Sequence, residues 1–205
     1  MKHDDVDTAS AGTATLEAPA PQIAPLKDLA DFKVASGDPD VRGWNVIGSD
    51  GRTLGEVNDL LVDTAALRVR YLDVELDRDL LISAPAVPGT ASVIGAYAAP
   101  GMAGAGPVLD PGDGHAPSVH VLVPIGLARL DEEHDRIYLD GMDSSDVAVL
   151  PVYDHRTVLA RDYESRLRRR FDRRHAPSSD RDFYAGELYD EERFYGPRRK
   201  RRRLL

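Results

Sequence analysis

Residues 40–76 read DVRGWNVIGSDGRTLGEVNDLLVDTAALRVRYLDVEL, from Asp40 to Leu76. Apolar residues and turn formers are spaced here to predict three short strands joined by tight turns. Arg42–Gly48 is a short apolar-rich run. Ser49-Asp50-Gly51-Arg52 follows as a polar turn, and its Asp-Gly pair favours the positive φ that joins antiparallel strands. Thr53–Val62 carries Leu54, Val57, Leu60 and Val62, and Gly55 marks a bulge or a close backbone approach. Asp63–Leu67 reads as a turn. The next run alternates, with Val69, Tyr71 and Asp73 on one face and Arg70, Leu72 and Val74 on the other.

The same texture returns further on. His120–Ile125 (HVLVPI) is a strand of the buried type, Asp131–Asp135 a turn, and Arg136–Leu139 (RIYL) another strand. Short strands at this spacing predict a mainly β fold, a small β-barrel with a C-terminal helix and extended termini.

Three units are expected along the chain. Residues 1–24, rich in Ala, Thr, Pro and Asp, form a flexible N-terminal arm. Residues 25–153 carry the barrel, opening with Leu26–Ser36 as a short helix or an extended arm. A long Ala/Gly/Pro insertion at 82–117 interrupts it. Connections of that length are functional loops or disordered, and Val93, Ile94, Tyr97 and Met102 give this one apolar groups for a partner. Ser144–Val149 reads as a capped helical turn with Ser144 or Ser145 as N-cap, ended by Pro151. Residues 154–205 hold a helix at Thr157–Arg174, with Val158, Tyr163, Leu167 and Phe171 on its apolar side, then an aromatic and basic tail.

Composition narrows the function classes. There is no cysteine, so disulfides and thiolate metal sites are excluded. No run approaches the roughly 18 apolar residues that span a bilayer, and MKHDDVDTASAG lacks a signal-peptide core. A soluble, cytoplasmic chain is expected. The net charge of −9 conceals an asymmetry: residues 1–160 carry −15 and residues 161–205 carry +6. An acidic body with a basic tail is a partner-binding pattern.

Catalytic signatures are missing: there is no Gly-x-Ser-x-Gly, Walker loop, dinucleotide glycine motif or HExxH. His3, His115, His120, His134, His155 and His175 are scattered and read as solvent or loop histidines, not metal ligands. Two other features point to binding. Phe183, Tyr184, Tyr189, Phe194 and Tyr195 cluster in a chain with 6% aromatic residues. They are candidates for a partner interface or for a terminal segment packed back on the barrel. Arg198, Arg199, Lys200, Arg201, Arg202 and Arg203 form a basic run suited to anionic lipid headgroups. With no aromatic residue among them, nucleic acid is not the expected partner.

Three segments together resemble the cytoplasmic domain of the H subunit of photosynthetic reaction centres. They are the lead-in Pro25–Gly37 (PLKDLADFKVASG), the barrel with Leu122-Val123-Pro124-Ile125-Gly126, and the tail Tyr184-Ala185-Gly186-Glu187-Leu188-Tyr189. Within the barrel the likeness lies in Arg42-Gly43-Trp44, Asp50-Gly51, Gly55-Glu56-Val57, Asp59–Asp63 and Val69–Leu76. It runs from about residue 25 to 197, interrupted by 82–117. The barrel alone resembles the PRC-barrel, a domain also found in ribosome-maturation and stress-related proteins.

The resemblance implies a noncatalytic H-type subunit with a PRC-type β-barrel. It would cap the L and M subunits on the quinone side, at the cytoplasmic face of the photosynthetic membrane. Bacteriochlorophyll and quinone would belong to the partner subunits, with no cofactor on this chain. The family's N-terminal transmembrane helix is missing here, which implies a separate transmembrane H-like chain as anchor. Asp59, Asp63 and Arg70 match polar positions of the family and are the implied proton-relay residues. Ala18, Ala20 and Ala66 stand where the family has its proton-entry histidines and acid, so an inherited proton route would be rearranged. The alternative is a stand-alone PRC-barrel adapter that binds a soluble protein or RNA.

Overall fold

The computed structural model describes residues 23–83, 118–154, 158–171 and 183–202, with side chains for all of these except 81–83 and 198–202. The expected N-terminal arm falls outside them up to residue 22, as does the insertion from residue 84 to 117.

Among the described residues seven strands make one sheet. They are β1 (Ile23–Pro25), β2 (Asn45–Ile47), β3 (Thr53–Asp63), β4 (Arg68–Leu76), β5 (His120–Pro124), β6 (Ala128–Asp131) and β7 (Arg136–Leu139). Their order is β5-β4-β3-β2-β7-β6. All neighbours are antiparallel except β2 and β7. Strand β3 is long enough to be shared along one edge: its start pairs with β2 and its end with β1. The β1 strand straddles the boundary expected at residue 24. The end strands β5 and β6 do not pair among the described residues, so the ladder is not closed into a barrel.

The central hairpin follows from its turn chemistry. Gly51 takes φ +76°, as the Asp-Gly turn requires. At the next turn Leu67 adopts φ 54°, held by the Asp63 carboxylate, which accepts from the Ala65 and Ala66 amides at 3.2 and 3.0 Å. Gly55 shows both features its position suggested. A Cβ there would lie 2.0 Å from the Glu75 carbonyl oxygen, and the β2–β3 register shifts beside it, leaving Leu54 as the extra residue.

The β4 alternation does not hold. Residues 70–74 are buried throughout, because the sheet is covered on both faces. The core includes Val46, Leu54, Leu60, Leu61, Tyr71, Leu72, Leu122 and Ile137. Truncating any of the buried leucines or Ile137 to alanine costs about 2–5 kcal/mol.

Among the described residues four helices flank the sheet: α1 (Arg78–Ser83), α2 (Ser144–Ala148), α3 (Arg161–Phe171) and α4 (Glu191–Arg202). Single 3-10 turns occupy Leu26–Asp28, Ile125–Leu127 and Glu187–Tyr189. The N-cap of α2 is Asp143, not Ser144 or Ser145. Its carboxylate accepts from the Ser145 and Asp146 amides at 2.9 and 3.0 Å, and Asp146 reaches back to the Asp143 amide. Helix α3 starts later than expected, so Val158 lies ahead of it and is 90% exposed, whereas Tyr163, Leu167 and Phe171 are buried.

Candidate functional site: polar networks under the central hairpin

Two compensating bulges decide where the polar side chains of the β3–β4 hairpin go. The register skips Asn58 between Val57↔Val74 and Asp59↔Asp73, then skips Arg70 between Leu61↔Tyr71 and Val62↔Val69. Each bulge re-aims one side chain, and each serves a different network.

The first network leads inward from an open groove. Gly43, Asn45, Glu56, Asn58, Glu75 and Asp77 are among the residues lining a cavity of about 420 Å3. From its wall the Asn58 amide donates to Asp73 Oδ2 at 2.6 Å. The other carboxylate oxygen of Asp73 meets His120 Nδ1 at 2.9 Å, and His120 Nε2 contacts Ser118 Oγ at 3.2 Å. Asp73 and His120 are 1% and 5% exposed. They form a diagonal pair across the β4–β5 ladder, in which His120 faces Glu75. Opposite Asp73 on β3 stands Asp59, fully buried. Its carboxylate accepts from the Leu60 amide at 2.8 Å and the Lys27 amide at 3.2 Å. Burial raises the Asp59 pKa, and the two amides only partly offset it. Nearby, burial with the negative charges of Asp73 and Asp59 pushes the Tyr153 phenol up to about 12. A buried carboxylate–imidazole pair joined to a groove by hydrogen bonds can hold and pass a proton.

The second network is a clamp. The Arg70 guanidinium pairs with Asp63 Oδ2 at 3.2 Å, donates to the carbonyls of Tyr184 and Tyr189 at 3.4 and 3.3 Å, and lies 4.9 Å from the Tyr184 ring centroid. The Val69 amide donates to Glu191 Oε2 at 2.9 Å. Glu164, buried on α3, joins the clamp by accepting from Tyr71 Oη at 2.9 Å and from Tyr184 Oη. Desolvation raises the pKa of both phenols, and the Glu164 charge adds to it.

The structure therefore divides the expected relay. Asp63 and Arg70 satisfy each other and secure the tail. Asp59 accepts instead from the Leu60 and Lys27 amides, and no hydrogen bond among the described residues joins it to either. The aromatic cluster also lands away from a free surface: Phe183, Tyr189, Phe194 and Tyr195 are buried in the chain's own core, with only Tyr184 half-exposed. Phe183 stacks on Tyr189 at 5.4 Å, with the Arg161 and Arg168 guanidiniums 4.0 and 4.7 Å from its centroid. These four residues anchor the tail rather than offering themselves to a partner. Of the basic run, the side chains of Arg198, Arg199, Lys200, Arg201 and Arg202, and all of Arg203, lie outside the described residues.

Sequence reasoning missed Asn58, Asp73, His120, Glu164 and Tyr71. Asp73 and His120 carried a signal, since each sits within or at the start of an apolar run that buries it, and a buried polar group requires a partner. Among the described residues no group of three or more His, Asp or Glu could hold a metal ion. None of the described helices is long and apolar enough to cross a membrane.

A tight approach joins two distant segments. A Cβ on Gly126 would lie 1.9 Å from the Glu187 carbonyl oxygen, so the strand ending at Pro124 and the tail turn at Tyr184–Tyr189 fit only with glycine between them. The hairpin at the centre of this assembly lies within residues 34–93, which the family model of the PRC-barrel domain matches, and the chain carries a PRC-barrel domain there.

Proposed function

We propose that this chain is a noncatalytic docking module built on its PRC-barrel domain, acting by binding another protein. The observation that carries this reading is the seating of lead-in and tail on the sheet. Leu26 and β1 pack on β3, and the tail is locked by Arg70 and by the Gly126 approach. The polar groups so enclosed support structure or proton storage.

For the partner, the resemblance of Pro25–Gly37, the barrel and Tyr184–Tyr189 supports an H-type subunit on the cytoplasmic face of a photosynthetic reaction centre. It would cap L and M and leave redox chemistry to their bacteriochlorophyll and quinone. In that setting the groove–Asn58–Asp73–His120 path is a better proton route than Asp63 and Arg70. A specific observation favours the second reading, a stand-alone adapter for a soluble partner: the tail aromatics are consumed inside the chain, so they add no contact to a membrane complex.

One fractionation separates the two. Affinity purification of the tagged chain from its source either retains bacteriochlorophyll-containing membranes or yields a soluble complex without pigment. Recovery as a bare monomer under crosslinking conditions would remove both. A hydrolytic activity that disappears in Asp73→Asn while the fold persists would overturn the noncatalytic reading.

A further inference from the structure

Arg166, Arg169 and Arg170 stand at i, i+3 and i+4 on α3 and so share a face. That face forms one wall of a cleft of about 530 Å3, completed by Met142, Asp146, Val149, Leu150 and Phe171. Arg42, Arg70, Arg129, Arg161 and Arg193 each reach a carboxylate. Arg169 and Arg170 reach none among the described residues, and the described contact of Arg166 is the Tyr163 ring at 6.0 Å. The opposite wall offers one acid, Asp146, whose Oδ2 already accepts from the Asp143 amide in the α2 cap.

Like charges at this spacing repel and weaken a helix. The negative end of the α3 dipole favours cations in the last turn but does not explain why all three face a concavity. We propose that this cleft binds a phosphate-bearing ligand. Its volume lies within the roughly 300–1,000 Å3 of small-molecule sites. A single carboxylate would neutralise one of three cations, whereas a phosphate group brings up to about two negative charges and three acceptor oxygens. Guanidinium forks match those oxygens pairwise. The site is independent of the partner reading above, and its phosphate belongs either to a soluble compound or to a lipid headgroup.

The test uses the full chain at low salt. Inorganic pyrophosphate is titrated calorimetrically, and phosphatidylcholine vesicles with and without phosphatidic acid are tested by flotation. Saturable binding of either probe, weakened at least ten-fold in Arg166→Gln/Arg169→Gln/Arg170→Gln, supports the site. Binding of pyrophosphate alone marks a soluble ligand, and binding of vesicles alone marks a headgroup. Near-UV circular dichroism checks the fold of the triple variant. Should that variant unfold, Arg169→Gln alone is expected to weaken binding at least three-fold. Neutralising the run 198–203 to glutamine is expected to leave binding unchanged. The site is overturned if neither probe binds, if the 198–203 variant loses binding while the triple variant keeps it, or if a glutamate-rich peptide binds where both phosphate probes fail.

Discussion

Asp73 on β4 and His120 on β5 hold each other at 2.9 Å across a diagonal of the ladder, shut away from solvent. Two strands far apart in sequence are thereby pinned by polar chemistry as well as by backbone pairing. Removing one partner strands the other in a medium that cannot solvate it. Asp73→Ala is expected to cost about 3–5 kcal/mol in urea unfolding. In a double-mutant cycle with His120→Ala, the coupling is expected at about 1–3 kcal/mol. Additive single effects would mean the contact contributes no energy of its own.

The Arg70 clamp predicts a local consequence. Its guanidinium serves one carboxylate, two carbonyls and a ring, a combination that the single ammonium of lysine does not reproduce. Arg70→Ala is expected to cost about 3–5 kcal/mol, leaving Asp63 buried and unpaired. Arg70→Lys is expected to recover only part of this. In both variants chymotrypsin should cut first at Phe183 and Tyr184, before the sheet opens. Uniform cleavage across the chain would show that the tail is not held by this clamp.

A pH signature belongs to Asp59. Burial raises its folded pKa above the ordinary value of 3.8, so the folded state binds the proton more tightly than the unfolded state. Stability from this group is therefore fully present below the unfolded value and is lost as pH rises through the folded one. Asp59→Asn abolishes the titration. The stability of the parent chain minus that of the variant is expected to fall as pH rises from about 4 towards neutrality. Denaturant midpoints at half-unit steps measure it, and a difference that rises with pH would contradict the burial argument.

The hairpin was legible from residues 40–76 because Asp50-Gly51 and the apolar spacing act locally. What lay beyond reach came from non-local geometry. The bulges at Asn58 and Arg70 depend on cross-strand register, which no single strand encodes. Strand β6 was hidden because Ala128–Asp131 is short and weakly patterned. The Ser144 and Ser145 cap expectation failed since Asp143, one residue earlier, completes a reciprocal box with Asp146. The family resemblance pointed to Asp59, Asp63 and Arg70 as one relay, yet their separation depends on the Lys27 amide and the tail. The aromatic tail could pack inward or outward on composition alone, and the close approach at Gly126 fixes the inward choice.

That approach is open to a clean substitution. Gly126→Ala places a methyl group 1.9 Å from the Glu187 oxygen and 2.9 Å from that of Leu188, and both are backbone atoms that no rotamer change can clear. The tail turn must move, at a cost of about 1–3 kcal/mol. Hydrogen exchange should accelerate at residues 187–195 ahead of the β3–β4 hairpin. Gly51→Ala is the control, because its added Cβ meets nothing within 4 Å and the cost is limited to the left-handed φ, about 1–2 kcal/mol. The control is expected to leave tail protection unchanged relative to the hairpin. Equal tail exposure in both variants would mean that lowered global stability, not the Gly126–Glu187 contact, governs how the tail is seated.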